Sequence, residues 1–167
     1  MIKDNVLKAL NKQLNFEFYT SNVYLQMSAW ASKEGFDGCA NFLAAHSREE
    51  LQHMYKIFDY VNNRGCLAKV DSIPAPKGDF SNIVELFNSL LEQELEATKE
   101  INALAALAFK EGDLATFNFL QWFISEQTEE ESLIHHILDK VKLIGKMPDA
   151  NYLIDQEVQK LASKASA

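Results

Sequence analysis

Punctuation is scarce in this sequence: three prolines and six glycines are spread over 167 residues, which leaves room for long uninterrupted segments. Cysteine is scarcer still. Cys39 and Cys66 stand alone, with neither CxxC spacing nor the density of a disulfide scaffold, which excludes a stapled secreted fold and fits two simple thiols in a reducing compartment. Basic residues are outnumbered, 16 Lys and Arg against 24 Asp and Glu, for a net charge of −8. With no Lys/Arg-rich block, a nucleic-acid or anionic-membrane surface is disfavoured, and cations are the charged partners the composition favours. The longest near-uniform apolar stretch, Ile101 to Phe109, is far below the roughly 20 residues of a membrane span. The N-terminus carries charge every few residues where an export signal would have an apolar run. A cytoplasmic protein with no membrane or nucleic-acid partner is expected.

What is present is apolar mass. With 47% hydrophobic residues and 11 Phe, the chain can bury one sizeable core but is short for two, so residues 1–167 are expected to form a single domain. The few Gly and Pro divide it into four long helical segments and a tail. Helices are predicted over Asn5–Glu34, Gly38–Arg64, Ile83–Glu111 and Leu114–Ile144, with a short amphipathic helix over Asn151–Lys164. Asn82 followed three residues later by Glu85 resembles a capping box, and Asp113 can cap the fourth helix. The stretch from Cys66 to Ser81, with Pro74, Pro76 and Gly78, reads as a long loop. Each long helix spans roughly 42 Å at about 1.5 Å per residue, and the loop can stretch roughly 50 Å at about 3.3 Å per residue. The second and third helices are therefore expected to run parallel, joined by one crossover along the bundle.

Stripes at 3 and 4 spacing should be apolar where helices face a core. Here they are interrupted. Leu7, Leu10, Leu14, Glu17, Ser21 and Tyr24 share a stripe on the first helix, and Glu50 and His53 lie between Phe42 and Ile57 on the second. Glu94 lies between Leu90 and Ile101 on the third; Leu120, Phe123, Gln127, Glu130, Ile134 and Ile137 share a stripe on the fourth. Glu17, Glu50, Glu94 and Gln127 fall near the midpoints of their helices, so Glu17, Glu50, Glu94, Glu130 and His53 are expected to converge at one level. No Lys or Arg lies within a turn on those stripes to neutralise them. Buried unpaired carboxylates cost several kcal/mol and repel one another, so bound cations are the economical solution. Carboxylates with one imidazole and an amide suit iron or manganese and lack the thiolates of structural zinc sites. Glu50-x-x-His53 is the spacing by which di-iron bundles point a carboxylate and an imidazole inward from one helix. Alone it carries little information; its weight comes from coincidence with the other three midpoints.

The sequence resembles the non-haem bacterial ferritins along nearly its whole length, most closely in LNKQLNFE around Glu17, HSREELQHM around Glu50 and His53, and TFNFLQWFISEQTEEE in the fourth helix. The resemblance implies an all-α, ferritin-like four-helix bundle with a short fifth helix. It implies iron storage with ferroxidase activity: one iron held by Glu17, Glu50 and His53, a second by Glu50, Glu94 and Glu130, Gln127 nearby, and Tyr24 beside the pair. A third iron site would use Glu49, Glu126, Glu129 and Glu130. Two Fe(II) held close together would each give an electron to O2, or to H2O2 as the alternative oxidant. The product would mineralise in a hollow homo-oligomeric shell of 24 subunits.

The chain departs from its kin in places. Bacterioferritins have a second Glu-x-x-His in the fourth helix and a haem-binding Met after the Glu of the first; here stand Gln127 with Glu130, and Leu51. No haem is expected. Thr128 replaces a His common in close relatives and is expected to point away. The acids that line the three-fold pores of animal ferritins are matched by Phe117 and Leu120, which disfavours that route for iron. Trp122 reads as a core aromatic, His46 as a hydrogen-bonded structural histidine, and His135 and His136 as surface residues. Two other classes of function remain in view: a di-iron oxygenase or peroxidase, which needs a substrate pocket beside the metals, and a metal-free helical interaction module.

Overall fold

A computed structural model describes residues 2–165. It contains five helices: α1 (Asp4–Lys33), α2 (Asp37–Asn63), α3 (Ile83–Lys110), α4 (Leu114–Ile144) and α5 (Ala150–Ala165). Local signals start α3 and α4 and stop α1. Asn82 accepts a hydrogen bond from Glu85 N at the start of α3, and Glu85 Oε2 in turn accepts from Ser81 N. Asp113 accepts from Thr116 N at the start of α4. At the end of α1, Gly35 adopts φ +83°, and Phe36 N reaches back to Ala31 O. A left-handed residue there lets the chain satisfy the last carbonyls while turning sharply.

Side-chain contacts fix the directions. Ser21 and Ser47 each donate their hydroxyl to the other's carbonyl, and Ser28 donates to Ala40 O, so α2 runs antiparallel to α1. Lys3 pairs with Glu111, Lys12 with Glu100, and Tyr24 bonds Glu94, so α3 is also antiparallel to α1. Parallel α2 and α3 follow, as the loop length requires. The loop is held to α1 by asparagines: Asn11 Oδ1 and Asn15 Oδ1 accept from Lys69 N and Asp71 N, and Asn15 Nδ2 donates to Lys69 O. At its far end Phe80 meets Trp30 edge to face.

The short α5 closes one end. Asp155, buried, accepts from Gly38 N and Cys39 N and so caps α2 from a different helix. A side chain at Gly38 would meet Asp155 O at 2.3 Å, so glycine is required for this approach. Among the described residues, no helix is long and apolar enough to cross a membrane.

The apolar core is divided. One cluster holds Tyr24, Phe42, Leu43, Phe87, Leu90, Ile134 and their neighbours; the other holds Leu10, Leu14, Met54, Ile57, Ile101, Leu120 and Phe123. Between them lie buried polar residues from all four long helices.

Candidate metal centre

That polar layer sits where the helix midpoints meet. Glu17 comes from α1, Glu50 and His53 from α2, Glu94 from α3, and Gln127 and Glu130 from α4; all six are buried. Oxygen atoms of Glu17 and Glu50 and a ring nitrogen of His53 all lie within 4.8 Å of one another. Within this set His53 Nδ1 is 3.2 Å from Glu50 Oε2. Glu94 is oriented from two sides: Tyr24 Oη donates to one oxygen at 2.8 Å and Gln127 Nε2 to the other at 3.2 Å. Gln13, one turn before Glu17, donates to Glu17 Oε1 at 2.8 Å.

Among the described residues, no Lys or Arg forms an ion pair with Glu17, Glu50, Glu94 or Glu130. The electrostatic consequence is large. Burial, then repulsion from Glu50, pushes the Glu17 carboxyl up to about 8. Burial, then repulsion from Glu130, raises Glu94 to about 7. Glu50 is driven well above the carboxylate range by burial, then by Glu94 and Glu130. Burial and the adjacent Glu94 likewise hold Tyr24 as a neutral phenol. Without cations the layer must therefore retain protons, and Glu50 Oε1 and Glu130 Oε2 are buried with no hydrogen-bond partner. Groups of this kind gain most from a cation, which supplies the missing partner and the missing positive charge together.

Residues 7–144 match the family model described as a ferritin-like domain. The chain belongs to the ferritin family. A probable bacterial non-heme ferritin-like protein of Haemophilus influenzae is 46% identical over 165 residues, covering 99% of this chain and 100% of its own. The bacterial non-heme ferritin of Escherichia coli is 43% identical, covering 96% and 98%. Among solved structures, an open pore ferritin from Archaeoglobus fulgidus superposes with a TM-score of 0.92 at 35% identity, covering 95% of this chain and 98% of that one.

Within this ferritin, the expected pair-site residues are brought together, and Tyr24 lies against Glu94. The expected third set is more dispersed. Glu126 lies 3.9 Å from His53 Nε2, and its carboxyl is raised by partial burial, an effect that His53 opposes and Glu130 adds to. Glu129 is exposed, and the residues that cluster with Glu130 are Glu49 and His46. Thr128, His135 and His136 are exposed as expected.

Three expectations are corrected. Leu120 is 0% exposed inside the second apolar cluster. It cannot line a pore, because the stripe that carries Gln127 and Glu130 inward carries Leu120 with them. Trp122 is no core residue: it is 38% exposed at the rim of the site, edge-on to His53 and beneath the Lys56 ammonium. His46 makes no aligned hydrogen bond from either ring nitrogen. Burial alone would lower its pKa, but Glu130 and Glu49 outweigh that and raise it.

Sequence reasoning missed Gln13 and Asp155. Gln13 carried a signal, a polar residue one helical turn before Glu17. Asp155 carried none, since its role depends on where α5 docks.

Proposed function

We propose that this protein stores iron by oxidising Fe(II) at the mid-bundle layer and accumulating the ferric product in a homo-oligomeric shell of 24 subunits. The observation that carries this reading is a buried layer of four carboxylates from four helices, with no Lys or Arg among the described residues paired to any of them. Its donor set is hard, anionic oxygen with one imidazole, which suits Fe(II) and stabilises Fe(III) more.

In this reading Glu17, Glu50 and His53 hold one substrate ion, and Glu50, Glu94 and Glu130 hold a second, with Glu50 shared and Gln127 at the edge. Each Fe(II) loses one electron and O2 gains both. With two protons it leaves as H2O2, which balances two Fe(III). Protons displaced from Glu17, Glu50 and Glu94 as cations bind are available for that step. Tyr24 holds Glu94 in place through its hydroxyl. Glu49, Glu126 and Glu129 provide the acidic face over which cations arrive.

Aerobic addition of Fe(II) at increasing ratios tests the reading, with oxidation followed by absorbance and particle mass by light scattering or ultracentrifugation. Storage predicts rapid oxidation of the first ions and then uptake far beyond the site's capacity, within particles of constant outer size. Saturation at the first few ions, or no oxidation, would refute it.

A further inference from the structure

We infer that Thr98 and Glu131 are positioning residues for the second ion of the pair: together they fix the Gln127 amide so that its nitrogen stays on Glu94. The inference rests on the paired-ion reading and adds two residues to it. Their placement follows from helical spacing. Thr98 lies one turn beyond Glu94 on α3, and Glu131 one turn beyond Gln127 on α4, so each shares a helix face with the residue before it. Where α3 packs on α4 the four side chains form two rungs, Glu94 with Gln127 and Thr98 with Glu131, braced by a contact from Gln127 to Thr98.

Gln127 Nε2 faces three oxygens: the Glu94 backbone O at 3.3 Å, Glu94 Oε2 at 3.2 Å and Thr98 Oγ1 at 3.4 Å. A backbone carbonyl can only accept, and so can a carboxylate that ligates a cation. Thr98 is the one ambivalent neighbour, because a hydroxyl donates as well as accepts. Were its hydrogen turned to Gln127, the amide could rotate and set its oxygen there. Glu131 prevents this by taking the hydrogen: Thr98 Oγ1 donates to Glu131 Oε1, a charge-assisted bond. All three oxygens are then acceptors, and only the nitrogen end of the amide fits among them.

The consequence reaches the metal layer. Glu94 is gripped at Oε1 by Tyr24 Oη and at Oε2 by Gln127 Nε2. A rotated amide would aim a carbonyl oxygen at Oε2 and push the ligand out of place. Glu131 is half-buried, and among the described residues it pairs with no Lys or Arg; the Thr98 hydroxyl is the partner that accounts for it.

The test uses the full assembled protein, stripped of metal and titrated anaerobically with Co(II), with the affinity of each ion read by calorimetry and E94Q marking which ion Glu94 holds. T98V keeps the shape of the side chain and removes the hydroxyl; E131A removes the acceptor. Each is expected to weaken the Glu94 ion about ten-fold or more, the usual effect of losing a group that orients a ligand, and to leave the other ion within about two-fold. T98S restores the hydroxyl and should bind like the unmodified protein, a rescue that a packing defect would not show. If T98V fails to assemble, E131A, altered at the edge of the bundle, decides together with T98S. Unchanged affinity for the Glu94 ion in E131A or in assembled T98V overturns the proposal, as does equal weakening of both ions or a T98S as weak as T98V. If the unmodified protein binds no Co(II) pair, or E94Q loses neither ion, the paired-ion reading fails and this inference falls with it.

Discussion

Replacing Glu17 by its neutral isostere should stabilise the metal-free protein and weaken its response to metal. The amide of E17Q can still accept from Gln13 through its oxygen and offers an N–H to Glu50. What it removes is a charge. Glu17 titrates near 8 in the fold and near 4.3 unfolded, so the folded state binds the extra proton between those values. Stability attached to that proton is fully present below about pH 4, falls as pH rises, and is gone above about pH 8. At about 1.4 kcal/mol per pH unit the full loss is about 5 kcal/mol. An independent bound comes from Coulomb's law: two carboxylate charges no more than 4.8 Å apart at an effective dielectric near 20 repel by at least about 3 kcal/mol. E17Q is therefore expected to gain roughly 3 to 5 kcal/mol at pH 9, or on the order of 10 °C in melting temperature, and only about 1 kcal/mol at pH 5. Adding Zn(II) at about 100 times its Kd should stabilise the unmodified protein by about 3 kcal/mol and E17Q by less. Calorimetry of both proteins at pH 5 and pH 9, with and without Zn(II), gives all four values. An equal gain at both pH values, or no gain at pH 9, would refute the electrostatic reasoning.

Double replacement E126A/E129A should slow initial oxidation at low Fe(II) by removing the acidic approach, while saturating Fe(II) restores most of the rate; equal rates at all concentrations would make those residues bystanders. D155A should cost about 2 kcal/mol by stripping two buried N–H groups of α2 of their acceptor, read as a lower melting temperature, and an unchanged melting curve would remove the cap from the account. F117W, at the exposed α3–α4 corner where Phe117 packs on Phe109, should leave initial oxidation nearly unchanged in assembled particles, and a large fall would show that iron passes there.

Much of this was legible in sequence because helices are local. The stops at Gly35, Gly65 and Gly112 and the caps at Asn82 and Asp113 are set by neighbours in the chain, and the helix bounds came out within a residue or two. The mid-bundle glutamates were legible because period 3.6 and equal helix lengths bring midpoints together. Orientation around the helix was legible less evenly. Leu120 was assigned both to the core stripe and to a pore, and only packing decides that one side chain cannot face both ways. Trp122 lies just beyond the stripe's edge, where an aromatic residue fits either core or rim. His46 looked ordinary because the deficit that marks it, two nitrogens without aligned partners, is a property of three-dimensional angles.

Two oily halves joined across a wet waist should not open as one piece. Each apolar cluster draws residues from all four long helices and can stay closed while the layer between them loosens, since without cations little but hydrogen bonds and retained protons ties the helices together there. Backbone amides around Glu17, Glu50 and Glu94 would then exchange hydrogen through small local openings, while those around Leu10 and Phe87 wait for larger ones. Cargo bound at the waist would splice the halves into a single cooperative unit, so the vessel would be most rigid when it is in use and most yielding when empty.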